Sequence, residues 1–110
     1  MADFSDFQQL DLRIGTILTA ESFSKARVPA YKITIDFGSE LGIKKSSAQI
    51  THRYQPEQLI GKQVTAIVNF PPRNIAGYSS EVLILGAVPG EGDVVLLQPD
   101  TAVQNGTKIS

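Results

Sequence analysis

Apolar and polar residues alternate with a period of two along most of this chain, and such alternation predicts β-strands. The pattern is clearest over residues 30–37, where four large apolar side chains would point to one side of a strand and three polar ones to the other. The four apolar residues are Tyr31, Ile33, Ile35 and Phe37. Because burying a large apolar side chain contributes roughly 1.5–3 kcal/mol, we expect this strand to lie in the core.

Shorter runs of the same kind predict further strands at residues 12–18, 62–70, 81–88 and 94–97, with a more polar strand at residues 46–51. Gly15 lies inside the first of these and predicts a bulge or a sharp bend, as barrel corners require. Pro71 ends the strand at residues 62–70, since proline cannot donate to a ladder. Gly90 and Gly92 predict a hairpin turn before the last strand.

Helical signals are short and lie at two places. Three apolar residues recur at three-residue spacing near the start of the chain: Phe4, Phe7 and Leu10. This spacing predicts a helical turn, for which Ser5 or Asp6 would be the cap. Residues 56–59 predict a single turn that begins at Pro56 and is closed by Gly61. Neither segment is long enough for a βαβ crossover, so we expect a mainly antiparallel sheet.

These elements together predict an all-β protein with an OB-fold. We expect a five-stranded antiparallel barrel with short N- and C-terminal extensions and a one-turn helix, formed as a single domain by residues 1–110. No apolar run approaches ~20 residues, so we expect no membrane insertion. Residues 1–10 contain Asp3 and Asp6 and no basic region, which predicts no secretory signal and a cytoplasmic location.

The composition limits the chemistry that the chain can perform. It has no cysteine and one histidine, His52, so we expect no disulfide, no metal site and no cofactor. A triad of Ser47, His52 and a distant aspartate is conceivable, but His52 lies in a polar stretch typical of the solvated surface. There is also no glycine-rich phosphate loop. We therefore expect a binding protein and not an enzyme.

The charge is unevenly distributed although the net charge is only −1. Residues 41–74 carry five bases and one acid, whereas both flanking regions carry more acids than bases. This distribution could give one face a positive field. The alternative is that five bases in this stretch reflect ordinary usage.

Four segments resemble the tRNA-binding domain family. They are LDLRIGTI at residues 10–17, PEQLIGKQV at 56–64, VNFPPRNIAG at 68–77 and SSEVLIL at 79–85. Within that family the details are similar to the CsaA-type export chaperone branch. The segments that carry this likeness are FG at 37–38, SSAQIT at 46–51, NFPPR at 69–73, SEVL at 80–83 and GDVVLLQP at 92–99.

The resemblance covers essentially the whole chain and implies an OB-fold, no catalysis and a homodimer built with the terminal extensions. The CsaA-type branch implies binding of unfolded preproteins and contact with the translocation ATPase, and the wider family implies binding of tRNA by shape. The chain departs from the tRNA-binding form at Pro71–Pro72–Arg73–Asn74. The family has a run of basic residues there, and this chain keeps a single cation.

The residues support two hypotheses about the function of the chain. The first is a chaperone that binds unfolded preproteins through a rigid apolar connection of Phe70, Pro71, Pro72, Ile75 and Tyr78. The second is a tRNA-binding protein that uses cations, hydrogen-bonding side chains and stacking aromatics on the same face. Its candidate contacts are Lys32, Lys45, Ser47, Gln49, Arg53, Asn69, Arg73 and Ser80. A homodimer would bury Phe4, Phe7 and Leu10.

Several of these residues also have structural interpretations. Phe70 and Ile75 would then close the barrel end, and Asn69 would bond to the backbone of the proline turn. Tyr54 would pack on the Pro56 turn or stack on a base. Glu81 would pair with Arg73 or with Arg13 across the sheet.

Overall fold

The computed structural model describes residues 1–110, and its longest strand organises the barrel. This strand, β1, runs over Leu12–Ser22. Its first half pairs with β4, Gln63–Ile67, and its second half pairs with β2, Tyr31–Asp36. β2 pairs in turn with β3, Ile43–Ala48, and β4 pairs with the short β7, Leu83–Ile84.

All of these pairs are antiparallel, and the resulting sheet has the order β3-β2-β1-β4-β7. Two hairpins stand outside this sheet. One joins β5, Arg73–Ile75, to β6, Tyr78–Ser80, and the other joins β8, Gly86–Gly90, to β9, Asp93–Leu96. The three helices are α1, Phe4–Gln8, α2, Gly38–Leu41, and α3, Pro56–Leu59. The prediction of an all-β, five-stranded OB-type barrel is confirmed.

The two edges of the sheet meet through residues that follow β6. The backbone N–H of Glu81 donates to the carbonyl of Lys45 at 2.8 Å, and the Glu81 carboxylate accepts from the Lys45 N–H at 2.8 Å. Buried Ser46 donates its hydroxyl to the Val82 carbonyl at 2.8 Å. The barrel is therefore nearly closed, by side chains as much as by backbone ladders.

Eleven buried apolar residues form one core. The alternation predicted for residues 30–37 is confirmed, since Ile33, Ile35 and Phe37 are fully buried. Leu59 of α3 is also fully buried, so this single helical turn covers one end of the barrel. The turn begins at Pro56 and is followed by Gly61 at φ +88°, as the sequence predicts.

The structure corrects the prediction for Gly15. The irregularity in β1 lies between Ile17 and Thr19, not at Gly15. Instead, a Cβ on Gly15 would lie 2.6 Å from Ile35 Cγ2 and 2.7 Å from Phe37 Cδ1. The glycine is required because two core side chains cross directly over its backbone.

Other differences concern strand boundaries and short elements. The single strand predicted at residues 81–88 is interrupted, because its residues divide between β7 and β8 in different sheets. The polar strand predicted at residues 46–51 begins earlier, at Ile43, and ends at Ala48. The connection that follows the two prolines was expected to lack strands, but it contains the β5–β6 hairpin. Helix α2 was not predicted.

The C-terminal extension is fixed to β1 by backbone hydrogen bonds, whereas the N-terminal extension forms the short helix α1. The cap of α1 is Asp3, not Ser5 or Asp6, and the Asp6 carboxylate accepts from the Asp3 N–H at 2.9 Å. At the other end, the Ile14 N–H donates to the Thr107 carbonyl at 3.0 Å, and the Gly106 N–H donates to the Ile14 carbonyl at 2.7 Å. The C-terminal segment thus covers the edge of β1 that β2 leaves open.

Arg13 connects this segment to the barrel. Its guanidinium is nearly buried and donates to Asp11 at 2.6 Å, to Glu40 at 2.9 Å and to the Gly106 carbonyl at 3.1 Å. These hydrogen bonds, to Asp11 first and to Glu40 second, hold the pKa of the Arg13 guanidinium above its ordinary value. No helix in the structure has the length and apolar character needed to cross a membrane.

Candidate functional site

Two lysines and two aromatic rings meet on the outer face of β2 and β3. The ring of Tyr78 packs edge-on against Phe23, with centroids 5.5 Å apart. Lys32 Nζ lies 5.3 Å from the Tyr78 centroid and 5.3 Å from that of Phe23, and Lys45 Nζ lies 5.2 Å from the Tyr78 centroid. We call these four residues the Tyr78 cluster. Such cation–π contacts are worth about 0.5–1 kcal/mol at an exposed site.

The phenol at the centre of this cluster stays protonated at neutral pH. Burial raises the pKa of Tyr78 above its ordinary value, and the charges of Glu21 and Glu81 raise it further. Its hydroxyl points to the Ile33 carbonyl at 3.4 Å. Lys32 forms one salt bridge, with Glu21 at 4.0 Å, and its side chain is about one-third exposed.

A cleft of about 210 Å³ opens at the C-terminal end of β3. Six of its nine lining residues are hydrophobic. We call it the β3 cleft, and its lining residues are Ser47, Ala48, Gln49, Ile50, Arg73, Leu83, Ile84, Val94 and Leu96. Arg73 is the one charged residue among them, and it makes no salt bridge within the chain.

The β5–β6 hairpin joins the cleft to the Tyr78 cluster. The Ser47 N–H donates to Ser80 Oγ at 3.0 Å, and Ser80 lies opposite Arg73 in the hairpin. Tyr78 is two residues before Ser80 and Lys45 is two residues before Ser47, so the same two strands lead into the cluster. The structure thus brings five of the predicted RNA contacts to one continuous face: Lys32, Lys45, Ser47, Gln49 and Arg73. The sixth, Ser80, lies beneath this face, because it is buried and its hydroxyl is bonded to the Ser47 N–H.

Arg53 and Asn69, the other two predicted RNA contacts, are engaged elsewhere. Arg53 makes a two-pronged ion pair with Asp93, at 2.9 Å and 2.7 Å. This pair raises the pKa of Arg53 and lowers that of Asp93. Asn69 accepts from the Asp11 N–H and donates to the Gln9 carbonyl, both at 2.9 Å. It therefore fixes the N-terminal extension, and does not bond to the proline turn as the structural interpretation expected.

The predicted peptide contacts are divided between two places. Phe70, Pro71 and Pro72 are exposed and directly follow Asn69, on the side of the N-terminal extension. Ile75 lies opposite Tyr78 in the β5–β6 hairpin, and both are half-buried. Of the predicted peptide contacts, Tyr78 alone is a member of the Tyr78 cluster, and Phe70 forms no aromatic pair with its ring.

Two further residues have structural roles that differ from the expected ones. Tyr54 does not only pack beside Pro56, because its hydroxyl accepts from the Leu96 N–H at 3.0 Å. Glu81 forms no salt bridge with Arg73 or Arg13, and its carboxylate caps the edge of β3 instead. The cleft residues Leu83, Ile84, Val94 and Leu96 were not predicted as site residues. The alternation of apolar and polar residues in these segments predicts strands, but it does not show that the strands would line a common cleft.

The predicted dimer contacts form an exposed apolar patch beside the C-terminus. Phe4 is 72% exposed, and its ring centroid lies 6.2 Å from that of Phe7. Both rings and Leu10 line a shallow hollow together with Ile109. The patch lies on the same side as the Asn69 contacts, apart from the Tyr78 cluster.

Known proteins share the architecture of this chain. The family model of the tRNA binding domain matches residues 12–108. The crystal structure of chaperone CsaA from Bacillus anthracis is 65% identical with a TM-score of 0.96, over 100% of this chain and 99% of that one. The CsaA chaperone protein of Picrophilus torridus is 47% identical with a TM-score of 0.94, over 100% of both chains.

Matches of a second kind are to part of a larger enzyme. The methionine–tRNA ligase of Methanococcoides burtonii is 38% identical over 106 residues, which are 96% of this chain and 15% of the ligase. That of Porphyromonas gingivalis is 39% identical over the same shares of both chains. This chain therefore corresponds to a small part of the ligases that it matches.

Proposed function

The chain belongs to the tRNA-binding domain family and groups within it with the CsaA chaperones, and from this premise we propose that it is a non-enzymatic chaperone for unfolded preproteins. The observation that carries the proposal is the full-length likeness to CsaA, at 65% identity. The proposal includes a homodimer, a cytoplasmic location and contact with the translocation ATPase.

The β3 cleft supplies the chemistry for an unfolded client. The outer edge of β3 is already bonded, since Lys45 and Ser47 contact Glu81 and Ser80 there, so an extended client would place its side chains in the cleft without adding a strand. Leu83, Ile84 and Val94 offer an apolar wall for those side chains. Because these side chains are held by the barrel, little entropy is lost when a client binds.

A dimer through the terminal patch would present two β3 clefts to one chain. The exposed ring of Phe4 and the half-buried ring of Phe7 would be covered between the copies. Two linked clefts bind a long unfolded client more tightly than one, because the second contact is intramolecular. Sedimentation equilibrium at tens of micromolar tests this part, and a single species with the mass of a monomer would contradict it.

Suppression of aggregation tests the chaperone proposal. Light scattering of a chemically denatured client should fall when the protein is present in excess, without ATP. Leu83 and Leu97 are each 43% exposed, but only Leu83 lines the cleft. We expect Leu83→Ser to weaken suppression and Leu97→Ser to leave it unchanged. Undiminished scattering with the wild-type protein would overturn the proposal.

The Tyr78 cluster favours a second function, binding of tRNA. Lys32, Lys45 and Arg73 would neutralise phosphates, and Tyr78 would offer part of its ring to a base. We expect Lys45→Gln to lower the salt slope of tRNA binding by about one unit. Lys62→Gln is the matched control, since Lys62 lines a separate hollow with Ile60 and Pro99. A salt-independent or absent signal would reject this function.

A further inference from the structure

The two proposed ligands would need the same residues. Arg73, Ser47 and Gln49 line the β3 cleft, where a client would lie. Arg73 is also the third cation of the face that begins with Lys32 and Lys45.

The spacing of side chains along β3 brings the two proposed ligands close together. Side chains two residues apart on a strand point to the same face and are separated by about 7 Å. Lys45 and Ser47 are related in this way, so the ammonium that would hold a phosphate lies next to the mouth of the cleft. A tRNA backbone held by Lys45 and Arg73 would cover the mouth of the cleft, since Arg73 is one of its lining residues.

We propose that tRNA and unfolded polypeptide exclude each other on this face, so that tRNA controls how much chaperone is free to bind clients. This inference rests on the proposed chaperone function and adds a regulator to the same site. The two ligands would be held by different kinds of interaction. The polypeptide is held by burial of apolar surface, which salt weakens little, whereas each phosphate contact is lost as salt rises.

Salt therefore provides the discriminating variable. With three phosphate contacts, at ~0.9 each in the logarithmic salt slope, tRNA affinity should fall about 40-fold between about 50 mM and 200 mM salt. Binding of a neutral apolar peptide should change much less over the same range. Displacement of the peptide by tRNA should be strong at the lower salt and weak at the higher one.

The test uses the full chain and a short fluorescein-labelled peptide of alternating leucine and serine. Fluorescence anisotropy reports bound peptide while unlabelled tRNA is added at each salt concentration. We expect full displacement at low salt, at tRNA concentrations that match the directly measured tRNA affinity. Polyphosphate is the anion control, and it should displace the peptide less effectively per charge because it lacks bases to stack on Tyr78.

Variants separate exclusion from unfolding. Lys45→Gln should raise the tRNA concentration needed for displacement, by about three-fold more at the lower salt than at the higher one, while the peptide affinity stays unchanged. Lys62→Gln should change neither quantity. Circular dichroism spectra of both variants should match that of the wild type.

Each outcome decides the inference. Simultaneous binding, seen as anisotropy that rises when tRNA is added to the peptide complex, would overturn exclusion and leave the chaperone function standing. Absence of tRNA binding would overturn exclusion in the same way. Absence of peptide binding, together with undiminished client aggregation, would overturn both proposals.

Discussion

The hydroxyl of Tyr54 accepts a hydrogen bond from the backbone N–H of Leu96 at 3.0 Å. The Tyr54 carbonyl accepts in turn from the hydroxyl of Tyr31 at 2.7 Å. One residue in the loop between β3 and α3 therefore connects β2 to β9. Leu96 is buried and lines the β3 cleft, so this hydrogen bond positions part of the proposed client site.

We predict that Tyr54→Phe destabilises the protein by about 1–3 kcal/mol, because it leaves the buried Leu96 N–H without its partner. Urea unfolding followed by circular dichroism measures the change. Tyr78→Phe is the comparison, since its hydroxyl lies at a long 3.4 Å from the Ile33 carbonyl and its loss should cost less. An equal effect of the two substitutions would contradict the assigned role of Tyr54.

Gly15 gives a second stability prediction. An added methyl group would lie 2.6 Å from Ile35 Cγ2, so Gly15→Ala should destabilise the barrel by about 1–3 kcal/mol through overpacking. Gly90→Ala is the matched control, because nothing lies within 4 Å of a Cβ at that position. Thermal unfolding should separate the two variants clearly. Similar melting temperatures would show that the core can shift to accept the methyl group.

The Arg53–Asp93 pair makes stability depend on acid. The pKa of the Asp93 carboxyl is lowered in the folded state, chiefly by its hydrogen bond from Arg53. The unfolded state therefore binds the proton more tightly, so the stabilisation is present above about pH 4 and is lost as the pH falls through the folded pKa. Asp93→Asn should reduce the fall in melting temperature that the wild-type protein shows as the pH is lowered below about 4. An unchanged acid limb would contradict this assignment.

Arg13 is expected to hold the C-terminal segment against β1. Arg13→Lys keeps the charge but loses the planar fork that bonds Asp11, Glu40 and the Gly106 carbonyl. Amide exchange followed by NMR should accelerate at the N–H groups of Ile14 and Gly106. Lys108→Gln should leave both amides protected, as should the wild-type protein. Unchanged protection in Arg13→Lys would show that backbone hydrogen bonds alone hold the C-terminal segment against β1.

Much of the barrel could be predicted because its strands carry local signals. The alternation at Ile33, Ile35 and Phe37 identifies a core strand by itself, and Pro56 with Gly61 marks the helical turn. The role of Gly15 could not be predicted in the same way. Its steric need arises from β2 side chains about twenty residues away, which only the folded register brings over its backbone.

The site was partly predictable for a related reason. Lys45 and Arg73 lie in the basic stretch at residues 41–74 and Lys32 lies in the strand before it, and the β-strands place all three cations on one face. Arg53 carries the same sequence signal, yet its partner Asp93 lies forty residues away. The apolar cleft was missed because its lining comes from separate strands, and no single segment shows that these strands meet around a cleft.

The central claim is that clients bind in the β3 cleft, and site-specific photo-crosslinking tests it most directly. A benzophenone side chain at Gln49, which is exposed at the cleft, should crosslink to a denatured client polypeptide. The same group at Ile60, which is exposed beside a different hollow, should not crosslink above background. Crosslinking at Ile60 with none at Gln49 would contradict the account.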